Sequence, residues 1–152
     1  MLTGLISRIW KKMPPGMRTF LTRRLQPTFT VSAAGIITNE RGEVLLLNHV
    51  LRPASGWGVP GGFLAAGEQP ETAFRREVKE ETGIEVSDVT IYKVHTLKRH
   101  VEIVFTARGR GKAAVGSREI TELGWFAVED IPAEMNIRLQ FMIRKALGHD
   151  DQ

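Results

Sequence analysis

Three glutamates, Glu77, Glu80 and Glu81, stand at i, i+3 and i+4 in the segment Phe74-Arg75-Arg76-Glu77-Val78-Lys79-Glu80-Glu81. On a helix, at about 100° per residue, they share an arc of roughly 100°. Like charges that close repel and lower helix stability unless cations sit among them. Hard divalent ions such as magnesium take oxygen ligands, and they bind one or two carboxylates together with substrate phosphate oxygens. The spacing therefore points to a cation site. A plain solvated acidic face is the competing reading, and the surroundings weigh against it. Phe74 and Val78 lie on an adjacent face and would anchor the helix to a core. Arg76 is placed to tie down a nearby carboxylate. The passage leading in is rich in glycine, where backbone approaches an ion or ligand closely.

The elements that must hold this face are legible from their punctuation. Pro70 suits a first helical position and Gly83 a C-terminal cap, which brackets a helix over Pro70 to Thr82. Phe29 to Thr38 and Glu43 to Val50 read as strands joined by the turn Asn39-Glu40-Arg41-Gly42, a hairpin. Ser55-Gly56-Trp57-Gly58-Val59-Pro60-Gly61-Gly62 is too rich in glycine and proline for helix and leads into a loop ending near Glu68-Gln69. Val89 to Leu97, Val101 to Ala107 and Leu123 to Val128 read as strands, and Asn136 to Leu147 as a closing helix. Arg108 to Arg118, basic and glycine-bearing, reads as a mobile loop. The order β, β, α, β, β, β, α predicts an α/β protein with a mixed sheet covered by helices.

At 152 residues, 42% apolar and 25% charged, the chain has the size and balance of one soluble domain. No apolar run approaches the roughly 20 residues of a membrane span. Cysteine is absent, which removes disulfides, thiolate metal sites and a cysteine nucleophile, and fits a cytoplasmic setting. The charge is lopsided. Residues 1–39 carry Arg8, Lys11, Lys12, Arg18, Arg23 and Arg24 and no acid, leaving 15 basic against 17 acidic side chains in the rest. Met1 to Met13 places Leu2, Leu5, Ile6, Ile9 and Trp10 at helical spacing, ended by Pro14-Pro15-Gly16, and a second short basic helix is expected around Met17 to Leu25. The expected divisions are residues 1–28 as a basic amphipathic extension, 29–148 as the main domain and 149–152 as a tail.

Other signals are weaker. Gly56, Gly58 and Gly61 match GxGxxG, yet Pro60 and a further loop stand where that motif should open a helix. No phosphate loop of the GxxxxGK[ST] kind is present. The four histidines lack metal-ligand spacing, and Ser55 and Ser117 lack an elbow motif or a paired base.

Gly62, five residues, Glu68, seven residues, Arg76-Glu77-Val78, one residue, Glu80-Glu81, one residue, Gly83-Ile84 resembles the complete Nudix signature, matched at every specified position. The resemblance runs over about Phe29 to Leu147 and leaves the N-terminal extension outside. It implies an α/β/α sandwich that hydrolyses a nucleoside diphosphate linked to another group. Carried over by residue, it implies that Glu77, Glu80 and Glu81, with the carbonyl of Gly62, hold magnesium, for which manganese can substitute. It also implies that Arg76 orients a catalytic glutamate and that Glu68 supports the corner between loop and helix. Family members differ in their general base. Glu80 is the first candidate within the helix, with Glu102 and Glu119 as candidates outside it, and Trp57 as a candidate for stacking on a nucleobase.

Substrate choice is open at this level. The proline that marks many ADP-ribose enzymes of the family and the tyrosine of dinucleoside polyphosphate enzymes are both missing from Lys98 to Val101. Nucleoside triphosphates, nucleotide sugars, ADP-ribose-like molecules and capped RNA stay in consideration. The basic extension adds a second reading, a catalytically weak Nudix-fold module that binds RNA or an anionic membrane surface through residues 1–26. Packing in a homodimer competes with both, and a peripheral location at the membrane accompanies the lipid reading.

Overall fold

The computed structural model describes residues 2–52 and 55–149. It divides into two units, residues 1–30 and residues 31–152. The first unit holds helices α1 (Leu2–Lys12) and α2 (Pro15–Leu25). The second helix starts at Pro15 rather than at the expected Met17, because a proline has the fixed φ and the missing N–H that a first helical turn accepts. Among the described residues no helix is long and apolar enough to cross a membrane.

In the second unit, strands β1 (Thr30–Thr38) and β2 (Val44–His49) are buried at successive positions rather than alternate ones. Strands of that kind need cover on both faces. Ala33 and Ile37 of β1 and Leu45 and Leu47 of β2 enter one core; Ala34, Ile36, Val44 and Leu46 enter another. The Asn39 side chain sets the turn between them by accepting the N–H groups of Arg41 and Glu43; the hairpin is the one expected, with Thr38 pairing with Val44 across the turn.

Two short strands, β3 (Trp57–Gly58) and β4 (Gly61–Phe63), follow in the glycine-rich passage, where the sequence predicts no regular element. Local propensity gives no hint of them, since their hydrogen bonds come from distant partners: Trp57 pairs with Asn48, and Gly61, Gly62 and Phe63 pair with Ala34, Ala33 and Ser32. Helix α3 (Pro70–Thr82) has the bounds its punctuation predicts, with Gly83 in the left-handed conformation at φ 74° and its N–H on the Lys79 carbonyl.

Strands β5 (Glu85–Leu97) and β6 (His100–Arg110) form a long hairpin, each longer than expected. Strand β7 (Ile120–Phe126) starts three residues before the predicted Leu123, because pairing with β2 from His49 back to Val44 extends it. A 3-10 turn (Val128–Asp130) leads to α4 (Ile137–Ala146), capped by the Asn136 side chain.

The strands make one seven-stranded mixed sheet with the path β3-β2-β1-β6-β5, β4 lying on β1 and β7 on β2. Helix α3 closes the first core through Ala73, Phe74 and Val78, and α4 closes the second through Ile143 with Leu139 and Met142. That is the α/β/α sandwich expected. Phe74 is fully buried and stacks on Phe105 at 5.1 Å between centroids. A Cβ on Gly35 would meet its ring at 2.4 Å, so the bare backbone there lets the helix sit close to the sheet. Burial of that ring alone contributes on the order of 2 kcal/mol.

Candidate functional site

The site is built where the C-terminal half of α3 passes under β4. Gly61 fits this place for two reasons: its φ is 149°, and an added Cβ would lie 2.4 Å from the Ala33 carbonyl oxygen. Its N–H donates to Glu81 Oε2 at 3.0 Å. Next to it, a Cβ on Gly62 would fall 2.3 to 2.7 Å from the Glu77 carboxyl atoms. Two successive glycines thus let two carboxylates press against the strand backbone.

The shared arc of the three glutamates resolves into different environments. Glu81 is 7% exposed, Glu77 is half-buried, and Glu80 is at the rim with its side chain 59% exposed. Burial pushes the Glu81 carboxyl up to about 7; the Gly61 N–H opposes this, and the field of Glu77 adds to it. Glu119 raises Glu81 as well, and Arg52 lowers it.

Arg76 joins these parts. Its Nε and Nη2 donate to the two oxygens of Glu68 at 2.9 Å each, a bidentate fork, and its Nη1 donates to Glu77 Oε1 at 2.8 Å. Further bonds reach the Phe63 carbonyl at 3.3 Å and Glu80 at 3.4 Å. Glu68 in turn accepts the Ala65 N–H at 2.9 Å. The Arg76 guanidinium, first, and that N–H, second, hold the Glu68 carboxyl down at about 2.

Opposite α3, His49 at the end of β2 brings Nδ1 to 3.9 Å from Glu81 Oε1. Burial, with the field of Arg52, lowers His49 to about 4, so this approach is contact with a neutral imidazole rather than an ion pair. Its Nε2 is buried without a hydrogen-bond partner. The Arg52 guanidinium lies over Gly58, in the space a Cβ there would fill, and feels the charges of Glu81 and Glu102.

Glu102 pairs with His95 at 3.3 Å across the β5–β6 hairpin, and the exposed Glu119 is reached by its carbonyl, which accepts the Val50 N–H. Trp57 is 8% exposed and meets Phe126 edge-on at 5.2 Å, so its ring serves the second core.

Gly62, Glu68, Arg76, Glu77 and Glu81 therefore come together, with Glu80 at their edge; the field of Glu119 reaches Glu81, and that of Glu102 reaches Arg52. His49 and Arg52 also stand by Glu81, unannounced by the sequence. Neither lies in a motif, and the available signal was their position just before the glycine-rich passage. Of Arg108 to Arg118, expected to be a mobile loop, residues 108–110 belong to β6, and the rest, within segment 111–119, is hydrogen-bonded to the end of α3: Ala114 and Gly116 donate to the carbonyls of Thr82 and Glu81. Those carbonyls have no partner within the helix, which gives the segment its attachment.

Among the described residues no three His, Asp or Glu side chains stand close enough to hold an ion alone. The donor set nonetheless fits magnesium, which takes one or two carboxylates and leaves other positions to phosphate oxygens and water. Two observations agree with that fit: the Glu77 carboxylate rests in the space the missing Gly62 Cβ leaves, and the His49 Nε2 is an unsatisfied buried atom in the same neighbourhood.

The NUDIX domain family model matches residues 28–145. A MutT-like protein of Streptomyces ambofaciens is 37% identical over 113 residues, covering 72% of this chain and 71% of that protein. The 8-oxo-dGDP phosphatase NUDT18 of Mus musculus is 29% identical over 138 residues, 87% of this chain but 42% of its own length, so the chain spans less than half of that relative. The crystal structure of a MutT NUDIX hydrolase from Burkholderia pseudomallei is similar with a TM-score of 0.66 and 31% identity, over 82% of this chain and 98% of that one. With the signature residues gathered at one site and the family matched over most of its length, this chain belongs to the Nudix hydrolase family.

Proposed function

We propose that the chain is a magnesium-dependent pyrophosphohydrolase that cleaves the diphosphate linkage of a nucleoside di- or triphosphate, with an oxidised purine nucleotide as its substrate class. The activity belongs to residues 29–148, with 1–28 a separate extension and 149–152 a tail. The observation that carries the reaction is the pair Glu77 and Glu81 pressed on Gly61-Gly62 and braced by the Glu68–Arg76 fork. The substrate class rests on the relatives, among them the 8-oxo-dGDP phosphatase NUDT18 and 8-oxo-dGTP diphosphatases of Proteus vulgaris and Haemophilus influenzae.

In this reading Glu77, Glu80 and Glu81, with the Gly62 carbonyl, hold magnesium, and manganese can substitute. A bound ion would supply charge neutralisation for the diphosphate and a lower pKa for the attacking water; as that water's oxygen bonds to phosphorus, the bridging P–O bond breaks and the other phosphate leaves. Glu68 fixes Arg76, and Arg76 fixes Glu77 in one rotamer. Glu80, at the rim and within reach of solvent, accepts the proton from the attacking water. Arg52 offers a positive charge to the phosphates from the opposite side. Glu102 and Glu119 line the approach and orient the substrate. The intact carboxylate set disfavours a purely binding module.

The test is phosphate or pyrophosphate release, with and without magnesium, from 8-oxo-dGDP, 8-oxo-dGTP, dGTP, a nucleotide sugar, ADP-ribose and capped RNA. The oxidised purines should give the highest kcat/KM, and Glu81→Gln should lower kcat by on the order of 100-fold or more. Magnesium-independent turnover, or an unaffected Glu81→Gln variant, would refute the reaction assignment. Preference for ADP-ribose, the sugar or the cap would refute the substrate class alone.

A further inference from the structure

Helix α1 carries two faces that the hydrolase site does not use. At about 100° per residue, Leu5, Ile6, Ile9 and Trp10 fall in one sector of the helix, while Ser7, Arg8, Lys11 and Lys12 fall in the other. All four apolar side chains are exposed. Residues 1–39 contain six basic side chains and no acid. Helix α2 lacks this division, since Arg24 falls among Met17, Phe20 and Leu21, and it adds charge without adding a face.

We propose that α1 docks on an anionic lipid surface, lying in the plane of the interface with Leu5, Ile6, Ile9 and Trp10 in the acyl boundary and its basic side chains on the headgroups. Charge complementarity selects this occupant. An apolar sector with a Trp at its border and a cationic remainder is the composition of an in-plane interfacial helix. A phosphate backbone would satisfy the cations and leave the apolar sector in water. The same helix in a second copy would satisfy the apolar sector, but would bring its three positive charges, Arg8, Lys11 and Lys12, against three more with no acid between them. An anionic membrane meets both halves. Lys11 and Lys12 close the helix, where their charges also suit its C-terminal end.

The experiment is co-sedimentation of the full chain with phosphatidylcholine vesicles and with vesicles that also contain phosphatidylglycerol. Binding should require phosphatidylglycerol and weaken with salt. Two double variants, Ile6→Asp with Ile9→Asp and Lys11→Glu with Lys12→Glu, should each bind about tenfold or more weakly. Nucleotide turnover in solution, measured on the same preparations, should not change, so failure of lipid binding and failure of the hydrolase reading are told apart. Equal binding to both vesicle types, or undiminished binding of the Ile6/Ile9 variant, overturns the proposal. So does retention of homopolymer RNA, or a dimer detected by sedimentation, in the absence of vesicle binding.

Discussion

Arg76 is the residue through which most of the site's order passes. Its planar fork matches the two oxygens of Glu68, a fit that a lysine ammonium cannot reproduce. Arg76→Lys should therefore lower kcat about tenfold or more, through a Glu77 carboxylate no longer held in one place, while the melting temperature moves by only a few degrees. Steady-state kinetics with a thermal melt on the same protein checks both parts. Glu68 offers a separate reading of the same contact. Its carboxyl sits at about 2 in the folded chain against an ordinary 4.5, so the folded state favours the ionised form. The stability this contributes is complete above about pH 4.5 and is lost as the pH falls towards about 2. Melting temperatures over that acid window should fall less steeply for Glu68→Gln than for the wild type; parallel curves would show that the fork does not stabilise the fold.

At the scale of elements, the site depends on how closely β4 approaches α3. Gly61 and Gly42 both have positive φ, yet only Gly61 has neighbours that an added Cβ would strike. Gly42→Ala should cost about 1 kcal/mol, the strain of the left-handed backbone alone. Gly61→Ala must also displace Ala33 or the whole of β4, and should cost on the order of 3 kcal/mol with loss of most activity. Urea midpoints of the two variants test this ordering. The attachment of segment 111–119 to the end of α3 is a second dependence. A Cβ on Gly116 would stand 2.3 Å from the Glu80 carbonyl oxygen, so Gly116→Val should push the segment off the helix and disturb Glu80 and Glu81 together. Lower kcat with nearly unchanged stability is the expected result.

For the molecule as a whole, the proposed reaction requires one helix face, one strand backbone and a divalent cation together. A cation that binds the folded chain and not the unfolded one raises stability by mass action. Magnesium titration should therefore raise the melting temperature, EDTA should reverse the rise, and Glu81→Gln should abolish it. This readout needs no substrate, so it tests the ion site even if the nucleotide panel misses the natural substrate. Removal of the ion should leave the sheet and both cores intact, because α3 is anchored by Phe74 and Val78 rather than by its carboxylates.

The bounds of α3 and the hairpin turn at Asn39 depend on local signals: proline and glycine at the helix ends, and a side chain that caps its own turn. The sequence by itself determined those elements, together with the carboxylate spacing and the family that carries it. It could not determine which glutamate turns inward, because three residues on one arc are equivalent until something packs against them. The fold made that choice by laying Gly61 on Glu81 and Gly62 on Glu77. Strands β3 and β4, the docking of 111–119 on α3, and the placing of His49 and Arg52 beside Glu81 were likewise decided only by the tertiary structure. Each depends on hydrogen bonds, contacts or fields between segments far apart in the chain, and no local pattern of residues encodes those partners.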